Sequence, residues 1–333
     1  MQRVAGVVHA AALPTGGAQG RLGEWRWFLP IGGGEAAGVL SSSDGAAVEA
    51  RIWHSGLSRR HLVSRPRMAR SWLVRAARRA ERWGATVVGL EGLAVEPAPA
   101  AAISARVGAR VTAGRCLELA TAGALVAGLL TTAGQTAASG QAVVVGPDQD
   151  GGGAATCVAG VVRHAVLCGA RRDRLEAVQT RVLEQTGVSA MLVEEPAAAV
   201  ADADAVVYLG GDVAAATLAT AVVRGTVVVD LSPVGALAAA LATRPDVVVA
   251  DGAVIGSRGG RTTGDLPSWP PALAEAALVA WDGPLTVGWP RQREVLGAAR
   301  RAGRRGLVVA GATAVGEARL WERPEGDWGV DGR

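Results

Sequence analysis

The most informative part of the sequence is Ala142-Val-Val-Val-Gly146-Pro-Asp-Gln-Asp-Gly151-Gly-Gly-Ala-Ala155. A short apolar run ends at a glycine, passes through a polar turn and enters an alanine-rich segment that is typical of a helix. A strand, a tight loop and a helix in this order form the entry to a dinucleotide-binding fold. In that fold the amides at the helix start hold the pyrophosphate, and glycines let it approach the backbone. The stretch therefore predicts a dinucleotide-binding loop.

The glycines of this loop match the fingerprint Gly-x-Gly-x-x-Gly only in part. Gly146 and Gly151 take the outer positions, but an aspartate takes the middle one. With a loop that is one residue longer, Gln149 replaces the middle glycine, and Gly152 and Gly153 follow it. A degenerate loop of this kind is a weak signal by itself, although three successive glycines offer free amides at the helix start.

Short β-rich runs alternate with helical segments or loops after residue 140. The runs are 142–146, 165–169, 189–193, 205–209, 226–230 and 246–250. Alternation of this kind favours strands that are wound in parallel with right-handed crossovers. The sequence therefore predicts an α/β protein, in which a Rossmann-like doubly wound parallel sheet follows a second, N-terminal α/β domain.

Shifts in composition divide the chain into four segments, and the small-residue connection Gly134–Gly140 marks the main boundary. The segments are an N-terminal substrate or partner domain (1–138), a dinucleotide-binding domain (139–265), C-terminal helices that pack back on the N-terminal domain (266–315), and an acidic tail (316–333). We expect the tail to be loose, because chain ends are poorly ordered unless they are tied down.

Within the first segment the pattern predicts strands at 4–12 and 86–90 and an amphipathic helix at 66–83. A further helix is expected to be capped by Thr112 and to run to Thr132, since threonine is a good N-cap residue.

The composition excludes several kinds of chemistry. The chain carries 34 basic residues and no lysine, so a lysine Schiff base and a Ser-Lys or Tyr-x-x-x-Lys pair are excluded. The cysteines, Cys116, Cys157 and Cys168, are widely spaced in apolar segments, which predicts buried thiols, no disulfide, no metal site and a reducing cytoplasm. The start of the chain lacks the pattern of a signal peptide. The apolar run Leu119–Leu130 is shorter than the roughly 20 residues that span a bilayer.

A basic segment precedes the first long helix and continues along it. Nine arginines and one acid, Glu81, lie between residues 59 and 82. The arginines at its start are Arg59, Arg60, Arg65 and Arg67. Two interpretations are open: a solvated face of an amphipathic helix, or a docking surface for an acidic partner. Nucleic acid is not expected, because the net charge is only +4 and the rest of the chain is not basic.

Several short motifs recur in the order found in one enzyme family. The motifs are Gly6-Val-Val-His9, Thr112-Ala-Gly114, Val144-Val-Gly146 with Asp150 and Gly152, Ala170-Arg171 with Arg174-Leu175, Ala274-Glu-Ala276 and Trp281-Asp-Gly283. Their order resembles the long-chain acyl-(acyl-carrier-protein) reductases, the cyanobacterial-type enzymes that make fatty aldehydes from acyl thioesters with NADPH. The resemblance implies a Rossmann-like fold, NADP(H) as cofactor, an acyl thioester as substrate and an acidic acyl carrier protein as partner.

The dinucleotide-binding pattern and the family resemblance together predict a set of cofactor-binding residues. They are Gly146, Asp150, Gly151, Gly152, Gly153, Arg171, Arg172, Gly210 and Asp230. Arg171 and Arg172 follow the second strand of the nucleotide unit, where an arginine accepts the 2′-phosphate of NADP. A solvated turn in an arginine-rich protein explains these two residues equally well. Gly210 follows a strand and would let a ribose approach, although a strand-ending turn needs glycine too.

The chain departs from the family at the reacting centre. By the register of the resemblance, Ala272 stands where the family has its nucleophilic cysteine, and a methyl group cannot attack a thioester. Cys116, near the start of a predicted helix, and His9, at a strand end, are the remaining catalytic candidates. Three hypotheses stay open: an NADP(H)-dependent reductase with direct hydride transfer, a catalytically inactive relative that binds a nucleotide, acyl chain or partner, and an interaction protein that docks an acidic carrier.

Overall fold

The computed structural model describes residues 1–8, 35–54, 64–90, 97–147, 151–258, 263–264, 269–285, 290–314, 317–325 and 328. Within these ranges the strands are β1 (Gln2–Val8), β2 (Glu35–Ser41), β3 (Ala47–His54), β4 (Val87–Leu90), β5 (Arg110–Thr112), β6 (Gln141–Val145), β7 (His164–Cys168), β8 (Met191–Val193), β9 (Ala205–Tyr208), β10 (Val227–Asp230), β11 (Val248–Ala250), β12 (Gly252–Ser257), β13 (Thr263–Gly264), β14 (Leu307–Ala314) and β15 (Glu317–Glu325).

The helices in the same ranges are α1 (Pro66–Arg82), α2 (Pro97–Ser104), α3 (Arg115–Ala120), α4 (Ala122–Thr132), α5 (Gly152–Ala159), α6 (Arg172–Thr186), α7 (Pro196–Ala201), α8 (Ala215–Ala221), α9 (Ala236–Leu241), α10 (Pro271–Asp282) and α11 (Gln292–Arg304).

The chain forms two units, and each is built from two separate segments. Unit 1 comprises Met1–Arg115 and Gly259–Trp289, and unit 2 comprises Cys116–Arg258 and Pro290–Arg333. This division differs from the predicted boundaries. The first change of unit occurs at residue 115 instead of 138, because α4 packs on the strands of unit 2. Of the two C-terminal helices, α10 belongs to unit 1 and α11 to unit 2.

Unit 1 contains a mixed sheet in the order β13-β2-β3-β1-β4-β5. The neighbours β3, β1, β4 and β5 run parallel. Strand β2 pairs antiparallel with β3, and β13 pairs antiparallel with β2. Helix α1 begins with proline at its first turn, a position where the missing N–H costs nothing. One face of α1 is buried, through Ala69, Leu73, Val74, Ala76, Ala77 and Ala80. The predicted helix and the predicted strand after it are thus confirmed.

Unit 2 contains a six-stranded, fully parallel sheet in the order β11-β10-β9-β6-β7-β8. Numbered from β6 onward, this order is 3-2-1-4-5-6 read from the β8 edge, which is the doubly wound order of the Rossmann fold. The four inner strands, β10, β9, β6 and β7, are buried along nearly their whole length, as expected for a sheet covered on both faces. The predicted α/β fold class is therefore confirmed by the topology itself.

Two features of the chain differ from the sequence prediction. Thr112 does not cap a helix, because it pairs within β5, and the predicted helix is divided into α3 and α4 at Thr121. The described part of the tail is not loose: β15 pairs with β14, which pairs with β12 in an antiparallel sheet. Beyond β15, the Trp328 indole is buried and donates its Nε1–H to the carbonyl of Leu307 at 3.1 Å.

Candidate functional site

The strands β6 and β9 are neighbours whose following helices lie on opposite sides in the doubly wound order, so a crevice opens at their carboxyl ends. Gly146 follows β6 with φ +77° and donates its N–H to the carbonyl of Cys168 at 2.8 Å. A Cβ on Gly146 would lie 2.0 Å from the carbonyl oxygen of Gly210, which follows β9. The two glycines therefore bring the backbones after β6 and β9 into direct contact at the crevice, in a conformation and at a distance that only glycine allows.

Helix α5 begins in this crevice. Its N-cap residue is Gly151, and no side chain of the described residues caps the first turn. The first amides of a helix have no intrahelical acceptor, so those of α5 are directed toward the loop after β6. Residues 148–150 of that loop, including the predicted ligand Asp150 and Gln149, lie outside the described residues. The helix start thus has the amide geometry that binds an anion.

The glycines at the start of α5 also have packing roles. A Cβ on Gly153 would lie 2.4 Å from Cβ of Val295 in α11, so Gly153 lets the two helices approach closely. A Cβ on Gly151 would lie 2.3 Å from the side chain of Leu209. Gly152 faces Gln292, the first residue of α11. Sequence reasoning assigned these glycines to the cofactor alone, and it missed Gln292 because no local pattern relates α11 to α5.

A second loop of the crevice follows β9. Gly210 and Gly211 have φ +93° and +92°, respectively, which glycine adopts without strain. The hydroxyl of Tyr208 donates to the carbonyl of Val213 at 2.8 Å and so ties the loop to the strand end. Gly210 lies at the crevice, as the sequence predicted, whereas its contact with a ribose stays a prediction.

The arginines after β7 are already paired with carboxylates. Arg171 bonds Asp173 through Nε and Nη2 at 3.2 and 3.1 Å, and this pairing lowers the pKa of Asp173 below its ordinary value. Arg172 contacts Glu194 and bonds Glu176 at 3.1 Å, and both contacts raise the pKa of the guanidinium. All these side chains are exposed. The arginines are thus at the predicted strand end, inside a network of opposite charges.

Asp230, at the end of β10, is fully buried and serves the backbone that follows it. Oδ1 accepts from the amide of Ser232 at 2.9 Å, and Oδ2 accepts from the amide of Ala238 at 2.8 Å. Burial raises the pKa of this carboxyl, and the hydrogen bonds oppose the rise. Asp230 therefore has a structural role, because it positions α9 after β10. A direct bond from Asp230 to a cofactor stays a prediction.

In unit 1, Ala272 lies in the first turn of α10 against two glycines. A Cβ on Gly89 would lie 2.0 Å from the carbonyl oxygen of Ala272, and one on Gly114 would lie 2.6 Å from its Cα. Nearby, Glu275 is fully buried and accepts from the Thr112 hydroxyl and from the amide of Gly114 at 3.1 Å. Ala272 is therefore a tight packing position of unit 1.

The remaining catalytic candidates are Cys116 and His9. Cys116 is 1% exposed, and Cys157 and Cys168 are fully buried, which agrees with the prediction of buried thiols. Burial raises the pKa of the Cys168 thiol to about 12. His9 lies outside the described residues. The described residues contain no cluster of histidine, cysteine and acidic side chains that could hold a metal ion.

The basic face of unit 1 is described from residue 64 onward, so Arg59 and Arg60 lie outside the described residues. Arg65 and Arg67, at the start of α1, are exposed. The exposed arginines further along the helix are Arg75, Arg78 and Arg82. In the part of the chain that the structure describes, no helix is both long and apolar enough to cross a membrane.

No family model and no characterised protein matches the sequence. Among solved structures, L-tryptophan dehydrogenase from Nostoc punctiforme is 10% identical, with a TM-score of 0.37 over 62% of this chain and 58% of that chain. A dipicolinate synthase component from Bacillus halodurans is 14% identical, with a TM-score of 0.33 over 49% of this chain and 56% of that chain. Mycobacterium tuberculosis shikimate dehydrogenase is 23% identical, with a TM-score of 0.29 over 49% of this chain and 65% of that chain.

This chain thus spans less than two thirds of the length of each of these structures. The likeness is partial, and it bears on neither the reaction nor the substrate of this protein.

Proposed function

We propose that unit 2 binds a nicotinamide dinucleotide and that the protein is an oxidoreductase. The observation that carries this proposal is the contact of Gly146 with Gly210 at the point where the strand order reverses, beside the uncapped start of α5. Open α/β sheets bind ligands at this point, and a helix start there attracts the negative charge of a pyrophosphate.

The dinucleotide proposed is NADP(H). Arg171 and Arg172 follow β7, where the 2′-phosphate of NADP would lie. Their present partners, Asp173 and Glu194, are exposed, and exposed ion pairs contribute little to stability. A phosphate could therefore replace a carboxylate as the partner of a guanidinium at small cost, and it would gain bidentate contacts in return.

Titration of the purified protein with NADPH and NADH, followed by calorimetry and nucleotide fluorescence, tests the proposal. We expect binding that ADP-ribose competes away, and tighter binding of NADPH than of NADH. The double variant Arg171→Gln/Arg172→Gln should lose the preference for NADPH, whereas Arg181→Gln, on the same helix and farther from β7, should keep it. No binding of either nucleotide at millimolar concentration would refute the proposal.

For the reaction, the proposal is reduction of an acyl thioester to an aldehyde. With Ala272 at the nucleophile position, the hydride of NADPH would add to the thioester carbonyl directly. Overall, the thioester, NADPH and a proton would give the aldehyde, the thiol and NADP⁺. Consumption of NADPH that depends on a long-chain acyl thioester and releases one thiol per aldehyde supports this reaction.

A second candidate is a non-catalytic protein that retains the fold and binds a nucleotide or an acyl chain. The tight packing of Ala272 against Gly89 and Gly114 and the burial of Cys116 favour it, because neither position offers an accessible nucleophile. Binding of NADPH without turnover on any acyl thioester would favour this candidate over the reductase.

The partner proposed for unit 1 is an acidic acyl carrier protein on the basic face of α1. The exposed arginines of this face complement a negatively charged surface, and such attraction raises association rates at low salt. Replacement of Arg65, Arg67 and Arg75 by glutamate should weaken binding of the carrier protein and flatten its salt dependence. The same change at Arg293, an exposed arginine of α11, should leave both unaltered.

A further inference from the structure

Gln292 is a buried amide at the start of α11, beside the start of α5. Its side chain is only 9% exposed, and Nε2 donates to Oγ1 of Thr156 at 2.7 Å. The Thr156 hydroxyl in turn donates its single hydrogen to the carbonyl of Gly152 at 2.9 Å. Because that hydrogen is already used, Thr156 can only accept from Gln292, and this fixes which end of the amide faces Thr156.

The other end of the amide, Oε1, is buried and has no hydrogen-bond partner among the described residues. It lies 3.4 Å from the point that a Cβ on Gly152 would occupy. The space that a side chain at residue 152 would fill is therefore bordered by a carbonyl oxygen that lacks a donor in the part of the chain that the structure describes. A buried acceptor of this kind costs free energy in the unliganded protein, and a ligand that supplies a donor removes the cost.

We propose that Gln292 is a ligand-binding residue whose Oε1 accepts a hydrogen bond from a ribose hydroxyl of the dinucleotide at the start of α5. This inference rests on the proposed function. The chemistry selects the donor: the pyrophosphate is fully ionised and has no hydrogen to donate, whereas the riboses on either side of it carry hydroxyl groups. The amides of α5 would thus hold the diphosphate while Gln292 binds the sugar beside it.

The test compares three probes, NADPH, ADP-ribose and inorganic pyrophosphate, with wild type and Gln292→Met. Methionine keeps the length of the side chain and removes the acceptor. We expect Gln292→Met to bind NADPH and ADP-ribose about tenfold more weakly, the size expected for one hydrogen bond to a buried acceptor, and to bind pyrophosphate as wild type does. The matched control is Gln179→Met in α6, whose Nε2 donates to the carbonyl of Ala190 at 2.6 Å, away from α5. It should bind all three probes as wild type does.

Other outcomes would overturn the inference, and each would assign Gln292 a different role. Equal weakening of all three probes would mean that Gln292 only supports the fold of α5. Weakening of NADPH without ADP-ribose would place the acceptor at the nicotinamide. Unchanged binding of all probes would leave the dinucleotide proposal standing and remove Gln292 from it, whereas a wild-type protein that binds none of them would refute the dinucleotide proposal itself. If Gln292→Met fails to fold, the wild-type protein can be tested with analogues of NADPH that each lack one ribose hydroxyl. At least one of these analogues must then bind about tenfold more weakly than NADPH.

Discussion

Replacement of Gly146 by alanine tests the contact at the reversal of strand order. At φ +77° an alanine costs about 1–2 kcal/mol more than glycine. Its Cβ would also lie 2.0 Å from the carbonyl oxygen of Gly210, where about 3.5 Å is the favourable separation of non-bonded heavy atoms. The backbones after β6 and β9 would have to separate, which breaks the bond from the Leu209 amide to the Val145 carbonyl (3.0 Å) and costs about 1 kcal/mol more. We expect a total loss of about 2–3 kcal/mol in the free energy of unfolding.

The matched control is Gly187→Ala, after α6. Gly187 has φ +73°, but a Cβ there would meet no atom within 4 Å. The control should therefore lose only the conformational part, about 1–2 kcal/mol. Equilibrium unfolding in urea, followed by far-ultraviolet circular dichroism, measures both variants. Equal losses in the two variants would refute the claim that the two strand ends are in steric contact.

Three further predictions concern charges and thiols. Hydrogen bonds from Arg244 hold the pKa of Asp246 at about 2, so the pair stabilises the fold above the ordinary carboxyl pKa of 3.8 and loses this effect as the pH falls through about 2. The wild type should thus lose more stability than Asp246→Asn over that window in urea titrations, and parallel curves would contradict the assignment. Because burial raises the pKa of Cys168 to about 12, a thiol reagent at about pH 8 should label this residue only after unfolding, and rapid labelling of the native protein would be inconsistent with its burial. Glu194→Gln, which releases one partner of Arg172, should raise the ratio of NADPH to NADH affinity a few-fold in competition titrations, and an unchanged ratio would exclude Arg172 from the 2′-phosphate site.

The Rossmann sheet was predictable because its strands carry their own signal. Each of β6, β7, β9 and β10 is a short run of valine, alanine and similar residues, the composition of a strand that is buried on both faces of a parallel sheet. The helices between them follow from spacing and from stop signals such as Gly187 at the end of α6. The glycine at the end of β6 was identified because it stands at the first position of the dinucleotide-binding fingerprint, between a strand and a helix.

The remaining features depend on contacts between distant parts of the chain. The hydrogen bond from Gln292 to Thr156 joins residues 136 positions apart, so no local sequence pattern around either residue predicts it. The pairing of β15 with β14 gives regular structure to a tail whose acidic composition suggested a loose end. Likewise, Asp230 follows a strand as a cofactor ligand would, and only the three-dimensional structure shows that two backbone amides occupy its oxygens.

The division of each unit into two segments has a consequence for biosynthesis. A nascent chain that has emerged from the ribosome only as far as residue 258 lacks α10, which covers β1 and β4, and also α11, which packs on α5. Both cores would therefore stay exposed until residues 259–304 have emerged, and contacts between segments so far apart close slowly. The nascent chain should consequently bind chaperones that shield apolar surface. A chain truncated before residue 259 would leave neither unit able to fold alone.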